Sequence, residues 1–247
     1  MAPADDLPPE PGAPRGRRRP RLRLPFALVG VVAVVLAIAL FVWTVVLPHG
    51  RPRLEAGERF GVDVSNHQGP IDWDRVARDE IAFAYIKATE GGDFVDAHFR
   101  ENWDGAARAG LRRGAYHFFT LCRPGADQAD NFLAVVPRDD AALPPVVDLE
   151  FGGNCSGRPD RETLRRELTT FVERVEAGLG RPLVLYVLDD FEDQYQVQAV
   201  LPRAFWIRSL FQRPDGGDWS IWQYSGTALV DGIDGEADLN VARPGFL

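Results

Sequence analysis

Two carboxylates stand two residues apart in Pro145-Val146-Val147-Asp148-Leu149-Glu150, and the apolar pair before them reads as buried strand. Side chains alternate along a strand, so Asp148 and Glu150 face one side and Leu149 the other. Acids held that close repel. One of them keeps its proton to higher pH than a free carboxyl, while its neighbour stays ionised. A proton donor beside an anion is the pair that acid-assisted cleavage of a glycosidic bond requires. The donor protonates the departing oxygen, and the anion, or a substrate group that it orients, offsets the positive charge on the ring carbon. Alone, an Asp-x-Glu at a strand end is more often solvated or ion-paired than reactive. Here two further acids occupy comparable places, Asp63 in Gly61-Val62-Asp63-Val64 and Asp238 in Ala237-Asp238-Leu239-Asn240.

Such a constellation needs rigid elements converging on one mouth. Short apolar runs at 60–64, 83–88, 114–120, 145–150, 183–188, 204–209 and 219–224 read as strands, and helical spacing separates several of them. It is clearest over 161–178, where Leu164, Leu168, Phe171, Val172 and Val175 share a face. Strand and helix in alternation predict an α/β fold with a mostly parallel sheet, and seven or eight strands predict a closed, TIM-like β/α barrel. Residues 209–218 are too few and too rich in Gly and Pro for a full helix, so the outer helical ring is expected to be incomplete. A parallel barrel gathers its chemistry at the carboxyl ends of its strands.

The 247 residues allow one domain with an appendage. Residues 1–25 hold seven Pro and six Arg against Asp5, Asp6 and Glu10, and are expected to be a disordered tail. Residues 26–47 contain no charged residue, Asn, Gln or His, and as a helix they reach ~33 Å, enough for a bilayer core of ~30 Å. They predict a transmembrane helix, and a cleaved signal peptide is the competing reading. The Arg excess on the amino side predicts a single-pass cell-membrane protein with a cytoplasmic amino terminus. Residues 48–59 would be a linker and 60–247 an extracytoplasmic barrel domain. The net charge is −8 although residues 1–25 carry +3, so the rest is strongly acidic and no nucleic-acid partner is expected.

Among the remaining candidates, Lys87 and Glu90 at a strand end suggest an ion pair shaping the mouth. His67 and His117 with the acids would suit zinc. No paired-His motif accompanies them, and neither a metal nor another cofactor is expected. Trp73, Trp206 and Trp222 are sugar-stacking platforms or core fillers. Cys122 and Cys155 each follow a strand end, and outside the cell a disulfide between them is favoured.

The series Asp63-Val64-Ser65-Asn66-His67-Gln68-Gly69, Ile71-Asp72-Trp73, Tyr85-Ile86-Lys87-Ala88-Thr89-Glu90-Gly91, Gly114-Ala115-Tyr116-His117-Phe118, Val147-Asp148-Leu149-Glu150, Trp222-Gln223-Tyr224-Ser225 and Asp238-Leu239-Asn240 closely resembles the glycoside hydrolase family 25 lysozymes. The resemblance spans residues 60–240. It implies an irregular β/α barrel that cuts the β-1,4 bond between N-acetylmuramic acid and N-acetylglucosamine in peptidoglycan, with retention of configuration. Carried over by position, it makes Glu150 the general acid/base. Asp148 becomes the charge stabiliser, acting directly or by orienting the 2-acetamido group. Asp63 and Asp238 complete the acidic floor, and Tyr116 and Tyr186 donate hydroxyl hydrogen bonds. Trp206, Trp222, Lys87 and Glu90 would bind substrate.

This chain departs from the family pattern at Trp206-Ile207-Arg208-Ser209-Leu210 and Val187-Leu188-Asp189-Asp190, along one wall of the groove. There Arg208 either binds a peptide-stem carboxylate or is a solvated charge, the latter being preferred. The expectation is a membrane-anchored, monomeric muramidase. The alternatives are a non-catalytic peptidoglycan-binding module on the same barrel and a metal-dependent hydrolase.

Overall fold

In a computed structural model, residues 26–247 are described, with side chains from Leu28 onward. The expected tail over 1–25 lies outside the described residues. Helix α1 (Phe26–Phe41) belongs to one unit of the chain, and everything from Trp43 onward to another. The apolar helical stretch Leu28–His49 is 22 residues long, the one helix among the described residues long and apolar enough to cross a membrane. The short helix α2 (Leu47–His49) ends it at Gly50.

Nine strands follow: β1 (Arg59–Val64), β2 (Ile81–Glu90), β3 (Phe94–Val95), β4 (Arg112–Phe118), β5 (Val146–Leu149), β6 (Val184–Val187), β7 (Ala204–Arg208), β8 (Trp219–Leu229) and β9 (Glu236–Ala242). The order β1-β9-β8-β7-β6-β5-β4-β2, closed by pairing of β1 with β2, makes a barrel of eight strands. β3 is a two-residue antiparallel extension of β2. Neighbours in the ring run parallel except β9, which is antiparallel to both β8 and β1. The reason is the connection. Only residues 230–235 separate β8 from β9, and a parallel crossover needs about a dozen residues or more. The chain must turn back, and Gly232 and Gly235 take φ of 95° and 89° to do so.

Inward-facing positions alternate, as a pleated strand requires. Phe83 and Tyr85 of β2, Val146 of β5, Val184 and Tyr186 of β6, Trp206 of β7 and Ile221 of β8 pack as one cluster inside the barrel. Room for the two rings comes from glycine: a Cβ at Gly61 would fall inside Phe83, and one at Gly114 inside Tyr85. Phe83 and Tyr85 are fully buried at the strands' amino-terminal end, so that end is packed shut.

Outside lie α3 (Trp73–Arg78), α4 (Phe99–Arg108), α5 (Gly125–Val135), α6 (Arg161–Leu179) and the short α7 (Asp189–Tyr195) and α8 (Val197–Val200). α6 begins where Asp160 accepts a hydrogen bond from the Thr163 amide (2.8 Å) and stops at Gly180, in the left-handed region. It buries Leu164, Leu168, Phe171, Val172 and Val175, the face its spacing predicts. No helix covers β7, β8 and β9 from the 209–218 and 230–235 connections, and the ring is incomplete as expected. Residues 51–58 pack on the barrel instead. Arg213 makes paired hydrogen bonds of 2.7 and 2.8 Å to the buried Glu58, donates to the Arg53 carbonyl at 3.0 Å, and lies over the Trp222 ring.

Candidate active site

The mouth at the other end of the barrel opens into a cleft of about 540 Å³, within the range of small-ligand sites. Asp63, Asp148, Glu150 and Asp238 all line it. Asp63 lies near the carboxyl end of β1, and Asp148 and Glu150 lie at and just beyond the carboxyl end of β5. Asp238 corrects the parallel-barrel expectation. It sits near the amino end of β9, and the reversed direction of that strand brings it to the same mouth, directly opposite Asp63. Asp148 and Glu150 reach the cleft together by alternation, while Leu149 is buried on the outer side.

Each of the four acids is half-buried, because its edge forms the cleft wall. The protein crowded behind them removes enough water to raise all four above the usual carboxylate range. For Asp63 burial is the largest cause and the charge of Asp238 the next. The two are cross-strand partners, and crowding two carboxyls there makes it costly to ionise both. For Asp148 burial again leads, followed by the charge of Glu150. Its Oδ1 is buried and accepts no hydrogen bond among the described residues, which adds to the cost of ionising it. Burial also raises Glu150, opposed first by the cation of Arg208. Four acids so arranged resist ionising together. The Asp148–Glu150 pair loses its protons in two steps that belong to the pair.

A polar layer under the acids fixes them. Asn240 donates to Asp63 at 2.7 Å and accepts from the Trp206 indole at 3.0 Å. The Tyr186 hydroxyl donates to Gln223 Oε1 at 2.7 Å, and the Gln223 side chain helps to hold Asp238 down. Burial holds the Tyr186 and Tyr116 hydroxyls far above the ordinary phenol range, so both remain proton-bearing donors at the cleft. Behind Glu150, Asn154 donates to the Glu150 carbonyl at 3.0 Å and the Phe119 carbonyl at 2.8 Å, and accepts from the Leu121 amide at 2.9 Å. The adjacent Cys155 is bonded to Cys122, with Cα atoms 6.4 Å apart. The loops after β4 and β5 are thereby tied together beneath Glu150.

The other candidates separate cleanly. Lys87 and Glu90 form an ion pair of 2.7 Å on the cleft wall, with the Lys87 ammonium 5.1 Å from the Phe118 ring centre. Tyr116, Tyr186 and Trp206 line the cleft. Trp222 does not. It points outward from β8, is fully buried, and donates its indole N–H to the Ser209 carbonyl at 2.8 Å. Trp73 is likewise core, bonded to Asn102 at 3.2 Å. His67 lines the cleft and bonds Ser65, whereas His117 points outward into the core. Burial pushes His117 down to about 3, and it stays neutral between Thr89 and Gln128, stacked on Phe171. His67, in the turn after β1, and His117, on the outer face of β4, do not converge on one ion. Among the described residues no group of three His, Cys, Asp or Glu side chains is placed to hold a metal.

Gln223, Asn240 and Asn154 were not singled out as site residues. Gln223 and Asn240 pair across β8 and β9, and alternation from Asp238 puts Asn240 on the inner face. Arg208, read as a solvated charge, is exposed yet lines the cleft.

The model of the glycosyl hydrolases family 25 matches residues 62–233. The YegX protein of Escherichia coli K12 is 36% identical over 189 residues, covering 73% of this chain and 68% of that one. Lysozyme M1 of Streptomyces globisporus is 35% identical over 198 residues, with 73% and 66% covered. The structure of a family 25 glycosyl hydrolase from Bacillus anthracis superposes with a TM-score of 0.73 at 36% identity, covering 80% of this chain and 94% of that one.

Proposed function

This chain belongs to glycosyl hydrolase family 25, and from that premise we propose that it is a muramidase acting on peptidoglycan from the outer face of the membrane that residues 26–47 anchor it to. The bond cleaved is the β-1,4 link between N-acetylmuramic acid and N-acetylglucosamine. The observation that carries the reading is the placement of Asp148 and Glu150 side by side in one cleft that also holds Asp63 and Asp238. A binding module has no need of four mutually repelling acids.

The reactive form is the Asp148–Glu150 pair holding a single proton. Glu150, nearer solvent, gives that proton to the departing glycosidic oxygen. Asp148 offsets the positive charge growing on the ring carbon, and its unpartnered Oδ1 accepts from the substrate's acetamido N–H. Glu150, now a carboxylate, takes a proton from the incoming water. Asp63, raised by burial and by the charge of Asp238, holds its proton in this reading and leaves one negative charge on that floor rather than two. Tyr116, Tyr186, Trp206, Lys87 and Glu90 contact the sugars.

The uncharged length of residues 26–47 and the Arg excess before it support an anchor with the amino terminus inside and the barrel, from about residue 60, outside. One preparation tests both parts. Full-length chain is expressed, membranes are washed at high pH, and the fraction is incubated with purified peptidoglycan. The expected result is activity in the washed membranes, unchanged by a chelator, with new reducing ends on muramic acid. Activity released to the supernatant with residues 26–47 missing identifies a signal peptide. Glucosamine ends refute the bond assignment.

A further inference from the structure

Two cations face the cleft. Lys87 is paired with Glu90. Arg208, the last residue of β7, is exposed on the wall and makes no ion pair or hydrogen bond among the described residues. Its charge nevertheless reaches Glu150, Asp148 and Asp238, and it holds each of them down. Arg208 adds positive charge to a cleft in which the cleavage must develop more of it, and an anion bound by Arg208 would offset that addition. The cleft's own acids do not pair with it. The wall beyond it is apolar: Leu210, 47% exposed, also lines the cleft. It is held in place by the Ser209 amide on the Gln223 carbonyl (3.1 Å) and the Phe211 amide on the Tyr224 carbonyl (2.8 Å). A guanidinium fork beside an apolar shelf matches a carboxylate on a short peptide-like arm, because the planar fork donates two parallel hydrogen bonds to it.

Resting on the muramidase reading, we propose that Arg208 is a subsite for a carboxylate carried on the lactyl arm of the muramic residue. That carboxylate comes either from the stem peptide or, on a bare strand, from the lactyl group itself. Arg208 is then a specificity-determining residue that favours muramic strands over glycans without the arm.

The test compares wild type with Arg208→Ala and Arg208→Lys. The substrates are strands with free stem carboxylates, strands with those carboxylates amidated, and strands stripped of peptide. Inhibition by a chitooligosaccharide, which has acetamido groups and no lactyl arm, is measured alongside. Arg208→Ala is expected to lose about tenfold or more in kcat/KM on carboxylate-bearing strands, with Arg208→Lys in between and the chitooligosaccharide inhibition constant unchanged. The strand type that shows the loss identifies the source of the carboxylate. An equal loss on every strand with weakened chitooligosaccharide inhibition, a loss on none, or only a shift of the pH profile common to all strands overturns the proposal. Wild type inactive on every strand marks failure of the muramidase reading itself. Equal unfolding midpoints for the three chains separate these outcomes from misfolding.

Discussion

Glu150→Gln is expected to lower kcat by about 10²–10⁴-fold, the usual worth of a positioned general acid, while glycan still binds. Gln keeps the shape of Glu and can hydrogen-bond the glycosidic oxygen, but it has no proton to give. The wild-type profile should be bell-shaped, because activity needs the Asp148–Glu150 pair with one proton. Activity rises as pH climbs through the first loss from the pair and falls as it climbs through the second. Burial raises both acids, helped by the charge of Glu150 at Asp148 and by Asp238 and Asp190 at Glu150, so the falling limb lies above the ordinary glutamate value of about 4.3. In Glu150→Gln that limb disappears along with the rate. Undiminished turnover would remove Glu150 from the mechanism, and loss of glycan binding would assign it to recognition instead.

Asp148→Asn should cost about 10²–10³-fold in kcat, as removal of one preorganised electrostatic partner of a transition state does. It should also stabilise the fold. The folded value of Asp148 is raised well above normal, with burial the largest cause. While the Asp148–Glu150 pair still holds both its protons, the native chain therefore binds this one where the unfolded chain, at about 3.9, has released it. Over that window the native state holds more protons than the unfolded state, and stability falls as pH rises. Above the raised value the deficit persists. Asn carries no such deficit, so the variant should unfold at a higher temperature near neutral pH, and the gain should vanish in acid. Loss of the Asp148 charge also removes a repulsion from Glu150 and moves the falling limb of the residual activity to lower pH. A variant that is inactive and less stable at neutral pH would mean that Asp148 holds the cleft together rather than straining it.

Much of this site was legible from period-two alternation. Asp148 and Glu150 had to share a face, and the helical spacing of 161–178 marked the buried side of α6. Alternation within one strand does not give the register against the next. Trp206 pairs with Ile221 and Ile207 with Trp222, so the two tryptophans stand one rung apart and take opposite faces. Trp206 faces in and Trp222 faces out, though both look alike in the sequence. Asp238 was found for its residue type and neighbours, but its route to the mouth depends on the direction of β9, which the shortness of the 230–235 turn dictates. Arg208 illustrates a different limit. An exposed arginine after an apolar run looks like any solvated charge until the ends of β5 and β7 are brought to one cleft.

The most direct measurement is the proton itself. Carboxyl-carbon NMR titration of the folded chain, with Glu150 assigned by its absence in Glu150→Gln, follows the group whose ionisation the mechanism depends on. A midpoint for Glu150 clearly above the ordinary glutamate value, falling when Asp148 is replaced by Asn, is the predicted result. A midpoint at or below the ordinary value, indifferent to Asp148, would contradict a cleft built to keep that proton.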